Sequence, residues 1–437
     1  MMKISEEEYK LAKEAHVSNC TGGNIHEIST VCGSLVSSHL LWASLVQTNS
    51  VSQDKFLPQF VIYVLPVLLN MTLASDYAYA VTIGMATVAM AIFLTGRVTE
   101  TKETKPANDN YKPFLTVYRA GTMISTCIAI LAVDFQFFPR RFAKVETFGT
   151  SLMDVGVGSF VFSSGIVASR AYLDPVQKRF TTTMLQSMRT ALPILVLGFA
   201  RFFLTKSVNY QEHNSEYGLH WNFFFTLGFL PPFVTAFAYT QQFALFGAMI
   251  AGVYQFVLCQ GLQEWVLNAP RVDLLSANKE GICSFAGYLS IFLFGLQVGV
   301  WIFSSKPMKL ILFSGIMWGA LAAWTWFFPD YYVSRRMANL PYVVWVIAFN
   351  VSLLTLLILV DDYAKPRGRG PPMLDAMNMN GLFTFLLANV LTGTINLTMY
   401  TLYASDLISL VVNVVYMFIV CLIPWIFWQH YHLRIKF

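Results

Sequence analysis

Charge is scarce in this sequence. Only 12% of its 437 residues are Asp, Glu, Lys or Arg, whereas a soluble domain carries about a quarter, so the chain cannot dress an ordinary water-facing surface. Paired cysteines are missing as well. The six cysteines are scattered without a CxxC, which excludes a disulfide framework and a zinc ribbon. Cys127, Cys259 and Cys421 fall in apolar runs and read as small buried hydrophobes. There is no GxSxG and no P-loop, and DVGVGS (154–159) offers only a GxG inside a helical pattern, so a nucleotide site is not supported. The opening MMKISEEEYKLAK lacks the apolar core of a cleavable secretion signal, so the first hydrophobic helix is expected to do the targeting. The net charge of +5 is modest and lies in loops; it suits membrane orientation and gives no basic surface for nucleic acid.

What the chain has in plenty is apolar length. Hydrophobic residues make up 56% of it, and runs of about 20 such residues cross a hydrocarbon layer of roughly 30 Å. The apolar windows lie near 27–46, 56–74, 78–96, 114–133, 148–169, 185–205, 220–240, 243–267, 284–304, 309–328, 341–361, 379–398 and 407–429. The expected fold is all-α: a polytopic transmembrane helix bundle of about 13 spans forming one membrane domain over 1–437. Gly and Pro interrupt several windows, which is tolerated where neighbouring helices or a cavity satisfy the backbone.

An odd number of spans puts the termini on opposite faces, and the distribution of cations orients them. Arg97, Lys102, Lys105, Lys112, Arg170, Lys178, Arg179, Lys306, Lys309, Lys365, Arg367, Arg369, Arg434 and Lys436 share the carboxyl-terminal face. Fewer oppose them: Arg140, Arg141, Lys144, Arg271, Lys279, Arg335 and Arg336. The C-terminal tail 430–437 is therefore expected in the cytosol, and the N-terminal segment 1–26 and the loop from Asp134 to Lys144 on the lumenal side. The linkers 99–111 and 362–378 read as flexible polar connections. DFQFFPRRFAK (134–144) and DYYVSRRMAN (330–339) echo one another, but ten residues do not establish a repeat.

Ionisable side chains beside apolar spans are expensive and mark candidate sites. Here they are Arg119, Asp134, Asp154, Arg189, Arg201, Glu264 and Asp406, with His220 and Asn222 opening the window at 220–240. Asp134 ends an apolar run and precedes four residues rich in Phe. Lys144 follows ten residues later, where the chain can fold back. The pair serves either as a general base with an oxyanion partner or as an interfacial salt bridge with snorkelling side chains. Arg140 and Arg141 suit bidentate phosphate recognition or anchor a helix end at the head groups. Asp154 reads as a packed polar contact among Gly149, Gly156, Gly158 and Gly165, which permit close helix approach. In YQEHNSEYGLHWNFFF (210–225), His213, Glu216, His220 and Asn222 supply groups for a proton shuttle or for hydroxyl recognition, while their spacing fits no common zinc pattern. Asn19, Asn70, Asn350 and Asn396 begin glycosylation sequons, the last three inside apolar windows.

Beyond these readings, ILAVDFQFFPRRFAKVETFGTSLMDVGVGSFVFSSGIVASR (130–170) resembles the most distinctive block of the inositol acyltransferases of glycosylphosphatidylinositol (GPI) anchor synthesis, the family of the fungal GPI-anchored wall transfer protein and animal PIG-W. NYQEHNSEYGLHWNFFFTL (209–227), SANKEGICSFAGYLSIFLFG (276–295), VSRRMANLPYVVWV (333–346) and NMNGLFTFLLANVLTGTINLTM (378–399) are similar to further blocks, in the family's order. The resemblance implies an endoplasmic reticulum enzyme that moves a fatty acyl group, usually palmitoyl, from palmitoyl-CoA to the inositol ring of glucosaminyl-phosphatidylinositol. It implies acyl-CoA as co-substrate with no other cofactor, membrane lipids as surroundings, and Asp134 and Lys144 as the catalytic pair. Arg140, Arg141, Arg335 and Arg336 would bind substrate phosphates. His220 is the alternative base, with Asn222 beside it. A rival reading is a transporter using Asp134 and Glu264 as coupling groups. Because acyl-CoA is cytosolic and the acid is expected near the lumen, either the thioester threads into the bundle or the site lies deeper than its loop.

Overall fold

The computed structural model describes residues 6–96, 111–173, 180–207, 216–237, 241–304, 306–364 and 370–435. His213, most of the linker 99–111, part of 362–378, and the loop cations Arg97, Lys102, Lys105, Lys178, Arg179, Lys365, Arg367, Arg369 and Lys436 lie outside the described residues. Within them the chain is helical and contains no strand. In order come α1 (Glu6–Val17), α2 (Ile25–Gln47), α3 (Phe56–Tyr63), α4 (Leu65–Met71), α5 (Ala78–Thr95), α6 (Pro113–Ala132), α7 (Leu152–Ala168), α8 (Phe180–Ser207) and α9 (Phe223–Thr235). There follow α10 (Phe243–Val257), α11 (Gln263–Asn268), α12 (Leu274–Ala277), α13 (Lys279–Phe303), α14 (Pro307–Phe327), α15 (Leu340–Ala364), α16 (Pro372–Met379), α17 (Gly381–Thr398) and α18 (Asp406–Tyr431).

Eleven helices among the described residues are long and apolar enough to cross a membrane. The windows at 56–74 and 220–240 form shorter apolar helices, Phe56–Met71 and Phe223–Thr235. The first is broken at Val64, before the Leu65-Pro66 start of α4, because proline removes an internal donor yet suits a helix's first turn. The window at 243–267 is broken too: Gly261, at φ +110°, interrupts it between α10 and α11, a left-handed conformation that glycine adopts without a side-chain clash.

The chain falls into two compact units, one of Met1–Lys144, Ser151–Gly156 and Leu353–Phe437, the other of Val145–Thr150 and Val157–Ser352. In the first, α2 packs along α5, while α6 packs against α16, α17 and α18. Tyr416 of α18 donates to the Cys127 carbonyl of α6 at 3.0 Å. His39 of α2 bridges Tyr63 and Asp361, at 2.8 Å to each, which satisfies three polar groups inside apolar surroundings. In the second unit α13 is the centre. Its most apolar stretch is 72% buried, against 11% for α8, so α13 packs inside the unit and α8 lies at its surface.

Glycine sets the approach of α7 to α13. A Cβ on Gly165 would lie 2.3 Å from the Phe292 carbonyl oxygen, and one on Gly295 equally close to the Phe162 carbonyl. Gly158 meets Val346 in the same way, at 2.6 Å. Gly149 does something different from what the sequence suggests: it takes φ +139° in a loop and donates its N–H to the Val333 carbonyl at 2.8 Å. Cys259 also departs from expectation, being exposed whereas Cys127 and Cys421 are buried.

Candidate active site

After α6 ends, the chain turns through Phe135 to Phe142 and is pinned by its aromatic side chains. Phe135, Phe138 and Phe142 are at most 1% exposed. Phe138 meets Phe142 edge to face at 6.2 Å, and Phe142 N donates to the Pro139 carbonyl at 2.9 Å. Burying the rings leaves Asp134, Arg140, Arg141 and Lys144 on the outer side of the loop, none of them fully buried.

Asp134 sits at the centre of a clamp. Its Oδ2 accepts from Asn396 Nδ2 at 2.7 Å, and its Oδ1 lies 3.1 Å from Lys13 Nζ. Lys13 also donates to Asn396 Oδ1 at 2.8 Å. The acid is thus held between α1 and the end of α17. Tyr9 ties α1 down through Thr401 Oγ1 at 3.1 Å and through an edge contact with Tyr400 at 4.7 Å. Arg140 is exposed, donates to the Ser18 carbonyl and lies 3.9 Å from Cys20 Sγ. Arg141 is divided between Glu27 at 2.8 Å and Asp76 at 2.5 Å. His16, beside this loop, has its pKa held below the ordinary 6.5 by burial and by the Arg140 cation, with the Phe135 carbonyl opposing. Lys144 is half-buried just past the Arg140–Phe142 turn.

Arg335, Arg336, His220 and Asn222 belong to the second unit. Glu280, fully buried on α13, accepts the Arg271 fork at 2.6 and 3.0 Å and Arg336 at 2.9 Å. Arg335 stands 3.9 Å from Glu216. Gly218, at φ +108°, lets the chain turn onto Asn278, whose Oδ1 accepts from the backbone N–H of His220 and Trp221 at 2.8 and 2.9 Å. The His220 ring stands edge-on to Phe202, and its Nδ1 is buried without a hydrogen-bond partner among the described residues. Burial holds the Tyr217 phenol well above its ordinary range, with Tyr288 adding to the effect and Arg335 opposing it. Asn222 caps α9, accepting from Phe224 and Phe225 N–H while donating to the Gly198 carbonyl at 2.9 Å.

Asp154 is buried and accepts from Ser151 Oγ at 2.8 Å. Glu264, Arg189, Arg201 and Asp406 are exposed, while Arg119 is half-buried. A shallow groove of about 540 Å³ on the same unit as Asp134 is lined by Ser37, Thr82, Ile83 and Met90 among others, with no titratable side chain. No cluster among the described residues could hold a metal ion. Sequence reading missed Lys13, Asn396, Glu280 and Asn278. For Asn396, Asn278 and Glu280 a signal existed, since all three lie inside the blocks that carry the resemblance. Those blocks meet in space: 378–399 joins 130–170 at Asp134, and 209–227, 276–295 and 333–346 converge around Glu280 and Asn278.

Fold and cluster together define a multi-pass helical membrane protein whose first unit holds a carboxylate between two helices and a loop. A family profile described as GWT1 matches residues 9–427. The chain is 41% identical to GPI-anchored wall transfer protein 1 of Yarrowia lipolytica over 93% of its length and 95% of that protein. It is 39% identical to the protein of that name from Gibberella zeae, with the same two shares, and 37% identical to the one from Schizosaccharomyces pombe, covering 94% and 96%. The chain belongs to the GWT1 family.

Proposed function

We propose that this chain is an O-acyltransferase of GPI-anchor biosynthesis, moving a palmitoyl or similar fatty acyl group from acyl-CoA to the inositol ring of glucosaminyl-phosphatidylinositol. The observation that carries the reading is the Asp134 clamp: a half-buried carboxylate with two fixed donors, on a loop whose Arg140 is exposed. Asp134 takes the proton of an inositol hydroxyl as its oxygen attacks the thioester carbonyl carbon. The carbon–sulfur bond breaks, the thiolate leaves, and the proton passes from Asp134 to sulfur, so atoms and charge balance with no acyl-enzyme. Lys144 stabilises the oxyanion of the tetrahedral intermediate. Arg140 is the cation of the loop best exposed to meet a phosphate, whereas Arg141 is occupied by carboxylates and anchors the loop. Arg335 and Arg336, with His220 and Asn222, form a second polar region that we assign to binding the substrate's polar groups. The protein works in the endoplasmic reticulum membrane, with its N-terminus lumenal and its C-terminus cytosolic.

The test uses the purified full chain, labelled palmitoyl-CoA and glucosaminyl-phosphatidylinositol. Wild type should form acylated lipid, and Asp134→Asn and Lys144→Ala should each lower turnover by about 10²- to 10⁴-fold. A well-folded wild type that makes no product ends the enzyme reading; two fully active variants end the assignment of the pair.

A further inference from the structure

Asn396 is oriented by its neighbours. Its Oδ1 faces Lys13 Nζ at 2.8 Å and Thr401 Oγ1 at 3.3 Å. An ammonium group has only donors, so the amide oxygen must face it, and the amide NH₂ must then point at Asp134. The hydroxyl of Thr401 is held in turn by Tyr9 Oη at 3.1 Å, and Tyr9 also accepts from Leu402 N at 3.4 Å. Each oxygen of Asp134 therefore has one fixed partner, Lys13 on Oδ1 and Asn396 on Oδ2. A carboxylate offers about four lone-pair sites, so the remaining ones keep a defined direction. A sugar on Asn396 would destroy this arrangement, although Asn396-Leu397-Thr398 has the form of a glycosylation sequon.

We propose that Lys13 and Asn396 are positioning residues for Asp134, and that α1 is a working part of the active site. The inference rests on Asp134 being the base and adds the two groups that aim it. Lys13 is the cation closest to the acid among the described residues that pair with it, and it comes from an N-terminal helix outside the apolar spans. Asn396 comes from the far end of α17. Neither touches a reacting atom in this role; both act by fixing where the free lone pairs of Asp134 point, and a displacement of about 1 Å in such a group can cost about 100-fold in rate.

The experiment compares Asn396→Ala, Lys13→Met, Lys13→Arg and Asp134→Asn in the full chain, measuring kcat, KM for palmitoyl-CoA and the melting temperature. The expected result is a fall in kcat of about 10- to 100-fold for Asn396→Ala and Lys13→Met, with KM within twofold of wild type and substantial recovery in Lys13→Arg. Full kcat in Asn396→Ala and Lys13→Met beside an inactive Asp134→Asn overturns the positioning role and leaves the base in place. Full kcat in Asp134→Asn overturns both. Loss of kcat that tracks a lowered melting temperature, with no recovery in Lys13→Arg, overturns the proposal in favour of a purely structural contact.

Discussion

Asn396 and Asp134 lie 262 positions apart in the chain and 2.7 Å apart in space, the amide of one donating to the carboxylate of the other. The contact joins two stretches of sequence that share no local pattern. It makes the polar cluster at the end of α6 a property of the fold and not of its loop alone.

Glu280 predicts the largest stability effect. It is fully buried and accepts from both Arg271 and Arg336, so Glu280→Ala leaves two guanidinium groups facing each other without their shared carboxylate. Removing one side of a buried ion pair costs about 3–5 kcal/mol. Thermal unfolding of the detergent-solubilised protein should show that loss, and an unchanged melting temperature would contradict the burial of this cluster.

A methyl group should distinguish the tight glycines from the loose ones. Gly165→Ala places a Cβ 2.3 Å from a carbonyl oxygen, whereas Gly315 on α14 has nothing within 4 Å of the same position. The first should cost about 1–3 kcal/mol by overpacking, and Gly315→Ala should be neutral or slightly stabilising. Equal melting temperatures for the two variants would argue against the close crossing of α7 and α13.

Docking of α1 should weaken in acid. The His16 pKa is lowered in the folded state, so between that value and the ordinary 6.5 the undocked helix binds more protons than the docked one. Stability linked to His16 is therefore present above pH 6.5 and is lost as pH falls below it. Protection factors across 6–17, taken relative to the slower intrinsic exchange in acid, should fall on going from pH 7.5 to 5.5 in wild type, and fall less in His16→Gln. An identical fall in both proteins would assign the effect to another group.

The two arginines of the loop should behave differently. Arg141 is partly exposed between Glu27 and Asp76, a setting in which ion pairs contribute about 0.2–1 kcal/mol. Arg141→Ala should lower the melting temperature slightly and leave KM for both substrates unchanged. Arg140→Ala should raise KM for the substrate whose phosphate it meets; a KM effect confined to Arg141 would reverse the assignment.

The spans were legible because apolar length is additive along the chain, and a window such as 114–133 needs no partner to be recognised. The breaks at Val64 and Gly261 were partly legible, since Pro66 and Gly261 stand in plain view. The pairing of Asp134 was not. Lys13 lies in a polar segment that looks like a solvated tail, and Asn396 lies in an apolar window where it resembles one more buried amide. Geometry assigns each its partner through the turn at Phe135–Phe142 and the end of α17, and neither turn is written in the spacing of the residues concerned. Cys259 shows the limit from the other side: an apolar neighbourhood in sequence says nothing about which way a side chain faces.

The clamp around Asp134 draws on residues 13, 134 and 396, and that spread governs how the protein is made. A ribosome delivers Lys13 before Asp134 and Asn396 long after it. Until α17 has entered the bilayer, the acid has its ammonium neighbour but lacks the amide that completes its cage. Nascent chains halted before residue 396 would carry every residue of the loop and still lack the finished site, so competence waits for α17.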